Sequence, residues 1–379
     1  MILKDIINKF DKSNIKAGDG LEKGNYPLYT CSPVVNKFLN DYLYDDEAII
    51  ISTGGNFAAH YVKGRFNYST DCYVFNTDKY NLKYLYYYLL SKSDDVNKMF
   101  RGAGLKHLNK NEFVMLNIKE IPLNEQDRIV NQLDKINEMI EVRKKEIDKF
   151  NNLIKSQFVE MFVNKEYSKI TVEDVCEKMK IGPFGSALHK NEISTSGDVF
   201  VLGTDNAVDN EFKVYEQRFI TTEKFKELEK YKVAAGDIII SMMGTIGRTS
   251  VIPEDFYPSI ISSHLCMLTS NSNKMDPYFL NCILILDDNI SHQINMNKKG
   301  AIMSGLNLGI IKKLQIPNVP IEEQQKFLNI KNQIDKQKFV NLKIFQLLGK
   351  KLKKWYNSII DFVRSWNVYE IEFWFYYWC

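Results

Sequence analysis

Apolar residues recur at alternating steps of four and three along two stretches of the chain. The first stretch holds Ile129, Leu133, Ile136, Ile140, Ile147, Phe150 and Ile154, interrupted by Arg143 and, further on, by Gln157. The same register 198 residues later holds Phe327, Ile334, Phe345, Leu348, Leu352, Trp355 and Ile359, and is polar at Lys331, Lys338 and Asn341. No proline interrupts either stretch. A sustained 3-4 stripe flanked by charge predicts two long helices with coiled-coil seams. The plainer alternative is a pair of amphipathic helices, each packed on its own domain. A helix from about Leu123 to Phe162 spans ~60 Å at 1.5 Å per residue.

Between these helices the pattern changes to short apolar runs bounded by glycine. "DIIISMMGTIGRTSVI", Asp237 to Ile252, reads as a buried strand, a turn at Gly244–Gly247 and a second strand. "AIIIST" (Ala48–Thr53) matches its first half, "DIIISM" (Asp237–Met242). Residues 102–126 and 300–324 match without a gap at Gly102/Gly300, Ala103/Ala301, Leu108/Leu306, Asn109/Asn307, Ile118/Ile316, Pro122/Pro320, Glu125/Glu323 and Gln126/Gln324. With Leu116/Leu314 these are nine identities in 25 positions at one offset, and with upstream matches once small gaps are allowed they make the chain two copies of one unit. Each copy is a mixed domain followed by a long helix. "IPLNEQ" and "VPIEEQ" open those helices, and Glu125 and Gln126 fall in the first turn, where acidic and amide side chains suit the open N–H groups.

Composition narrows the chemistry. An apolar content of 45% with 13% aromatics is that of a folded protein. Six scattered cysteines without a CxxC pair suggest neither a disulfide framework nor a zinc site. No apolar run reaches the ~20 residues of a membrane span, so no membrane partner and a cytoplasmic location are expected. A net charge of +3 says little about partners, and any nucleic-acid surface must come from charge placement. The sequence lacks [DNS]PP[YF], HExxH and GxxxxGK[ST], and "FRGAG" (Phe100–Gly104), which has the FxGxG spacing, stands without a [DNS]PP[YF] partner; this leaves no complete methyltransferase, metalloprotease or nucleotide-binding site.

Candidate ligand contacts lie in the loops. "IGPFGSALHK" forms a tight turn that can present Ser186 and Lys190 to a phosphate. Arg248 follows the Gly244–Gly247 turn beside Thr245 and Thr249, and a guanidinium so placed suits phosphate or guanine. In the first copy Lys63 and Arg65 follow the glycines at a different spacing. "GLKHLN" and "KKGAIMSGLN" add Lys106, His107, Lys298, Lys299 and Ser304. For each of these a solvated or purely structural role is the plain alternative.

The duplication, the "[IV]P…EQ" helix starts, "GPFGS" and "DIIIS..GTIGR" together resemble the specificity (HsdS-type) subunits of type I restriction-modification systems, over residues 1 to about 366. The resemblance implies an α+β fold class: two mixed α/β target recognition domains in tandem, each followed by a long helix. The two helices form an antiparallel coiled coil with pseudo-twofold symmetry, whose length sets the gap between two DNA half-sites. The implied boundaries are 1–120 and 164–318 for the recognition domains, 121–163 and 319–366 for the helical spacers, and 367–379 for an atypical aromatic tail. The implied partners are double-stranded DNA, two modification (methyltransferase) subunits and, in some assemblies, restriction subunits. No cofactor is expected on this chain; S-adenosylmethionine, ATP and Mg belong to the partners, and so does catalysis. The competing readings are a self-sufficient DNA-modifying enzyme with an unrecognised active site and a coiled-coil protein scaffold. The tail, with six aromatics from Phe373 to Trp378, suggests an altered terminus or a segment covered by a partner.

Overall fold

The computed structural model describes residues 1–184, 186–298 and 306–357. The chain divides into two compact units, one of residues 1–145 with the chain from 341 onward, the other of residues 146–340.

Unit 1 is built on a six-stranded sheet, in the order Asn8–Lys9, Cys72–Asn76, Tyr44–Ser52, Ala59–Tyr68, Tyr26–Tyr29, Phe38–Leu39. The Ala48–Ile51 run carries no polar residue because both faces of the sheet are covered. Ile49 and Ile51 enter a core with Phe75, Leu85, Ile129, Leu133 and Ile136, whereas Ala48 and Ile50 join Val62, Phe66 and Val74 on the other face. Unit 2 repeats this arrangement in a four-stranded sheet, ordered Cys176–Ile181, Leu265–Ser270, Ile238–Ser241, Thr249–Val251. Ile238 and Ile240 face a core with Phe158, Phe162, Phe279 and Phe327, while Ile239 faces another with Phe200, Leu202 and Met267. A second four-stranded sheet contains Val199–Leu202 and Ser259–Ile261 as a parallel pair.

The long helices are Leu123–Phe158, prolonged by a π-helical turn at Val159–Val163, and Ile321–Asn357. In unit 1 Ile129, Leu133 and Ile136 are buried, and Ile140 and Leu352 pack against the same core. Arg143 Nη1 donates to Asn341 Oδ1 at 2.9 Å, so the first seam's polar break bonds that of the second, and these two segments run antiparallel. In unit 2 Phe150 packs on the core that holds Ile154, and Phe158 and Phe162 each stand 5.5 Å from Phe327, ring centre to ring centre. Ile147 and Phe345 are partly buried and Leu348 is buried. The side chain of Trp355, and Ile359 with the aromatic tail, lie outside the described residues.

The repeat is also visible in single hydrogen bonds. Leu108 N donates to Thr53 O, and Leu306 N to Met242 O, both at 3.0 Å. Asn109 and Asn307 each cap a short helix, accepting from Glu112 N and Ile310 N. The "EQ" glutamine does more than serve its own helix. Gln126 is buried, donates to Ile121 O at 2.9 Å and accepts from Asn81 N at 2.8 Å. Gln324 donates to Val319 O (2.7 Å) and Lys274 O (3.1 Å) and accepts from Asp276 N (2.8 Å). Asn81 and Asp276 are the N-caps of the helices Leu82–Ser91 and Pro277–Leu286. The sequence suggests that the carboxamide fills the open N–H groups of its own first turn; it binds the long helix to the cap of an earlier helix instead.

Removing that group strands buried partners, each worth about 1–3 kcal/mol. Gln324→Ala should lower the stability of unit 2 by about 2–3 kcal/mol in denaturant titration, whereas Gln325→Ala, losing an exposed bond to Asp276, should cost under about 1 kcal/mol. Equal losses in the two variants would contradict the clamp.

Candidate functional site

In each unit a buried serine ends the central strand and holds the loop that follows. Ser52 Oγ donates to Asn56 O and accepts from Ala58 N, at 2.7 and 2.8 Å. Ser241 Oγ donates to Thr245 O and accepts from Arg248 N, at 2.6 and 3.0 Å. The main-chain bonds Ser52 N to Ala58 O and Ser241 N to Arg248 O complete both clamps. Gly55, Gly244 and Gly247 take positive φ (81°, 70° and 83°), which the tight loops require of residues without a side chain. The position equivalent to Arg248 is therefore Ala58, and the loops differ by one residue in length.

Lys63 and Arg65 belong elsewhere. Both lie on the Ala59–Tyr68 strand, where Lys63 Nζ is 3.4 Å from Glu47 and Arg65 Nε is 3.1 Å from Asp45 on the adjacent strand. The Arg65 guanidinium also stands over the Tyr42 ring at 4.6 Å. Its hydrogen bond to Asp45 raises its pKa further and keeps it charged. These are cross-strand pairs of a solvated sheet face.

Lys106 and His107 are exposed and tied to the unit 1 loop. Lys106 O accepts from Gly55 N at 2.8 Å, and His107 bridges to Gly54. Cys31 Sγ bonds Asp71 O at 3.0 Å, and the same carbonyl accepts from Thr53 N and Oγ1. In unit 2 Thr245 is exposed and Arg248 half-buried, and no carboxylate pairs with Arg248 among the described residues. Thr249 is fully buried, its hydroxyl unpartnered and its N–H bonded to Asn210, so it faces inward, away from any ligand.

Lys190, Pro183, His189, Thr204, Arg218 and His264 line a cleft of about 450 Å³ in unit 2. Arg218 has Nη2 2.5 Å from Asp205 and Nη1 3.3 Å from Glu216, so its charge is already compensated. Lys190 is exposed at the rim. The N–H of His189 and the Lys224 ammonium, bonded to Glu192, hold that carboxyl below its usual range. A Cβ on Gly182 would lie 2.1 Å from Ser262 O, so only glycine fits where this loop leaves its strand. Ser186 is exposed in the same loop; Lys299 and Ser304 lie outside the described residues, as does the side chain of Lys298.

The arrangement offers two clamped loops, each with cationic or hydroxyl groups nearby, and different side chains on each. Among the described residues no His, Cys, Asp and Glu group of three or more is placed to hold a metal ion, and no helix is long and apolar enough to cross a membrane.

Burial raises the Cys72 thiol to about 11 and the Cys176, Cys266 and Cys282 thiols to about 12. A raised thiol pKa keeps the unreactive protonated form at pH 8. Native-state alkylation at pH 8, followed by peptide mass spectrometry, should therefore modify Cys31 ahead of these four. Faster labelling of Cys266 or Cys282 would show that the cores open.

The model of the type I restriction modification DNA specificity domain matches residues 1–152 and 164–344. A putative type I restriction enzyme specificity subunit of Haemophilus influenzae is 24% identical over 327 residues, covering 81% of this chain and 79% of that protein. The type I restriction enzyme MjaVIII specificity subunit of Methanocaldococcus jannaschii is 20% identical, covering 73% of this chain and 69% of that one. The crystal structure of a type I restriction-modification system S subunit from M. genitalium superposes with a TM-score of 0.60 at 16% identity, covering 94% of both chains, a likeness of fold.

Proposed function

The chain belongs to the type I restriction modification DNA specificity family, and on that premise we propose that it reads a two-part DNA sequence and carries the modification subunits that methylate it. Residues 1–120 would read one half-site and residues 164–318 the other, with the seams of 121–163 and 319–366 as the spacer. The observation that carries this reading is the pair of serine-clamped loops: same hydrogen-bond frame, different side chains, Thr53–Phe57 in one and Met242–Gly247 with Arg248 in the other. A frame that holds while its contents vary is what two readers of different base sequences need. Base-edge contacts from such loops confer specificity, and phosphate contacts confer affinity without sequence information.

In this reading the chain has no active site and binds no cofactor. S-adenosylmethionine belongs to the two modification subunits, and ATP and Mg to restriction subunits where these join, all in the cytoplasm. Co-expression with a modification subunit, followed by single-molecule sequencing of host DNA, should reveal N6-methyladenine in one motif of two parts with a fixed gap. Exchange of residues 164–318 for those of another family member should change one half of that motif and leave the other. Methylation by this chain alone would overturn the division of labour, and a change in both halves would overturn the assignment of one half-site to each copy.

Arg248→Ala should weaken binding of the modified motif by ~1–3 kcal/mol and relax one base pair, if its guanidinium meets a base edge. Binding measured over single-base variants of the motif checks this; an equal loss on every duplex would assign Arg248 to phosphate instead.

A further inference from the structure

Three lysines of unit 1 gather where the sequence shows no motif. Lys9 Nζ and Lys110 Nζ stand 5.5 and 5.9 Å from the centre of one ring, that of the buried Tyr73. Lys12 completes the group. Partial burial, then the charges of Lys9 and Lys12, pull the Lys110 pKa down, which places both ammonium groups near that of Lys110. None of the three has an ion-pair partner among the described residues, whereas Lys63, Lys83 and Lys98 of the same unit are each paired with a carboxylate. Asp71 is near enough to favour the charge on Lys110, but not at ion-pairing distance.

The place of the cluster matters as much as its charge. The carbonyl of Asp71 receives the N–H and hydroxyl of Thr53, the first residue of the clamped loop, and Lys110 directly follows the Asn109 cap beside His107 and Leu108. Leu108 N bonds Thr53 O. The lysines thus flank the loop proposed to read bases.

We propose that Lys9, Lys12 and Lys110 form a clamp for backbone phosphate on the DNA segment read by unit 1. Like charges held together repel, and an oxyanion among them relieves that repulsion. Ammonium groups act on phosphate as point charges and lack the forked geometry that reads guanine, so the clamp supplies affinity and register, with no base preference. Tyr73 gives the Lys9 and Lys110 stems a rigid apolar seat. The inference rests on the DNA-reading function above.

The test is the salt dependence of binding, with the full chain assembled with its modification subunit on a short duplex carrying its motif. Each phosphate neutralised contributes about 0.9 to the slope of log K against log salt. The Lys9→Gln, Lys12→Gln, Lys110→Gln triple variant should lower that slope by about 2–3 and weaken cognate and unrelated duplexes by a similar factor. Arginine at the three positions should restore it, and Lys98→Gln, off the cluster, should leave it unchanged. Lys12→Gln alone, away from the Tyr73 ring, should remove about 1 and serves if the triple variant unfolds. An unchanged slope, or a loss confined to one base-pair preference, overturns the clamp. A wild-type assembly that does not bind its motif overturns the DNA-reading function instead.

Discussion

The carboxamides of Gln126 and Gln324 sit where three pieces of chain meet in each unit. Each accepts from the N–H of a helix cap and donates to a carbonyl just before its own helix. These bonds tie the long helices to the caps of Leu82–Ser91 and Pro277–Leu286, so the direction of each long helix is fixed relative to an earlier helix of its copy. The apolar seam depends on that direction. Ile129 and Phe327, one turn further on, are buried to 2% and 0% exposure in the cores built on the central strands. Sheet, cap and helix are joined at one polar point inside an apolar body, where an unmade bond is costly.

Much of this was legible in the sequence because it is written twice. The strand "IIIS", the Asn cap at 109 and 307, the "EQ" helix start and the 3-4 stripe recur at nearly one offset, and each proved to be the same element in both units. What the repeat could not show was pairing across strands. Lys63 and Arg65 look like loop cations until the register sets them opposite Glu47 and Asp45. Ala58 could not be matched to Arg248 by letters, since one loop is a residue shorter; the serine hydrogen bonds decide it. Thr249, next to Arg248 in the sequence, lies inside the sheet. Lys9 and Lys12 lie some hundred residues from Lys110 in sequence, and the three converge because the first strand pairs with Cys72–Asn76.

The two units carry the same frame with unequal fillings. Unit 2 gathers Phe158, Phe162, Phe279 and Phe327 where its helix segments meet, with neighbouring rings 4.9–6.3 Å apart. Unit 1 places Ile129 and Tyr84 at the positions of Phe327 and Phe279. Cores of this kind tolerate exchange of one apolar filling for another if volume is kept. Polar anchors have fewer substitutes, and serine, asparagine and glutamine are among the letters the copies share.

The bond between Arg143 and Asn341 joins one repeat position to itself, since the two residues are 198 apart, the offset of the copies. A fresh duplication places the same residue at both, and two arginines there would face each other with like charge. At this position a cation and an amide bond where two cations would repel, so here an unlike pair serves the helices better than two copies of the arginine.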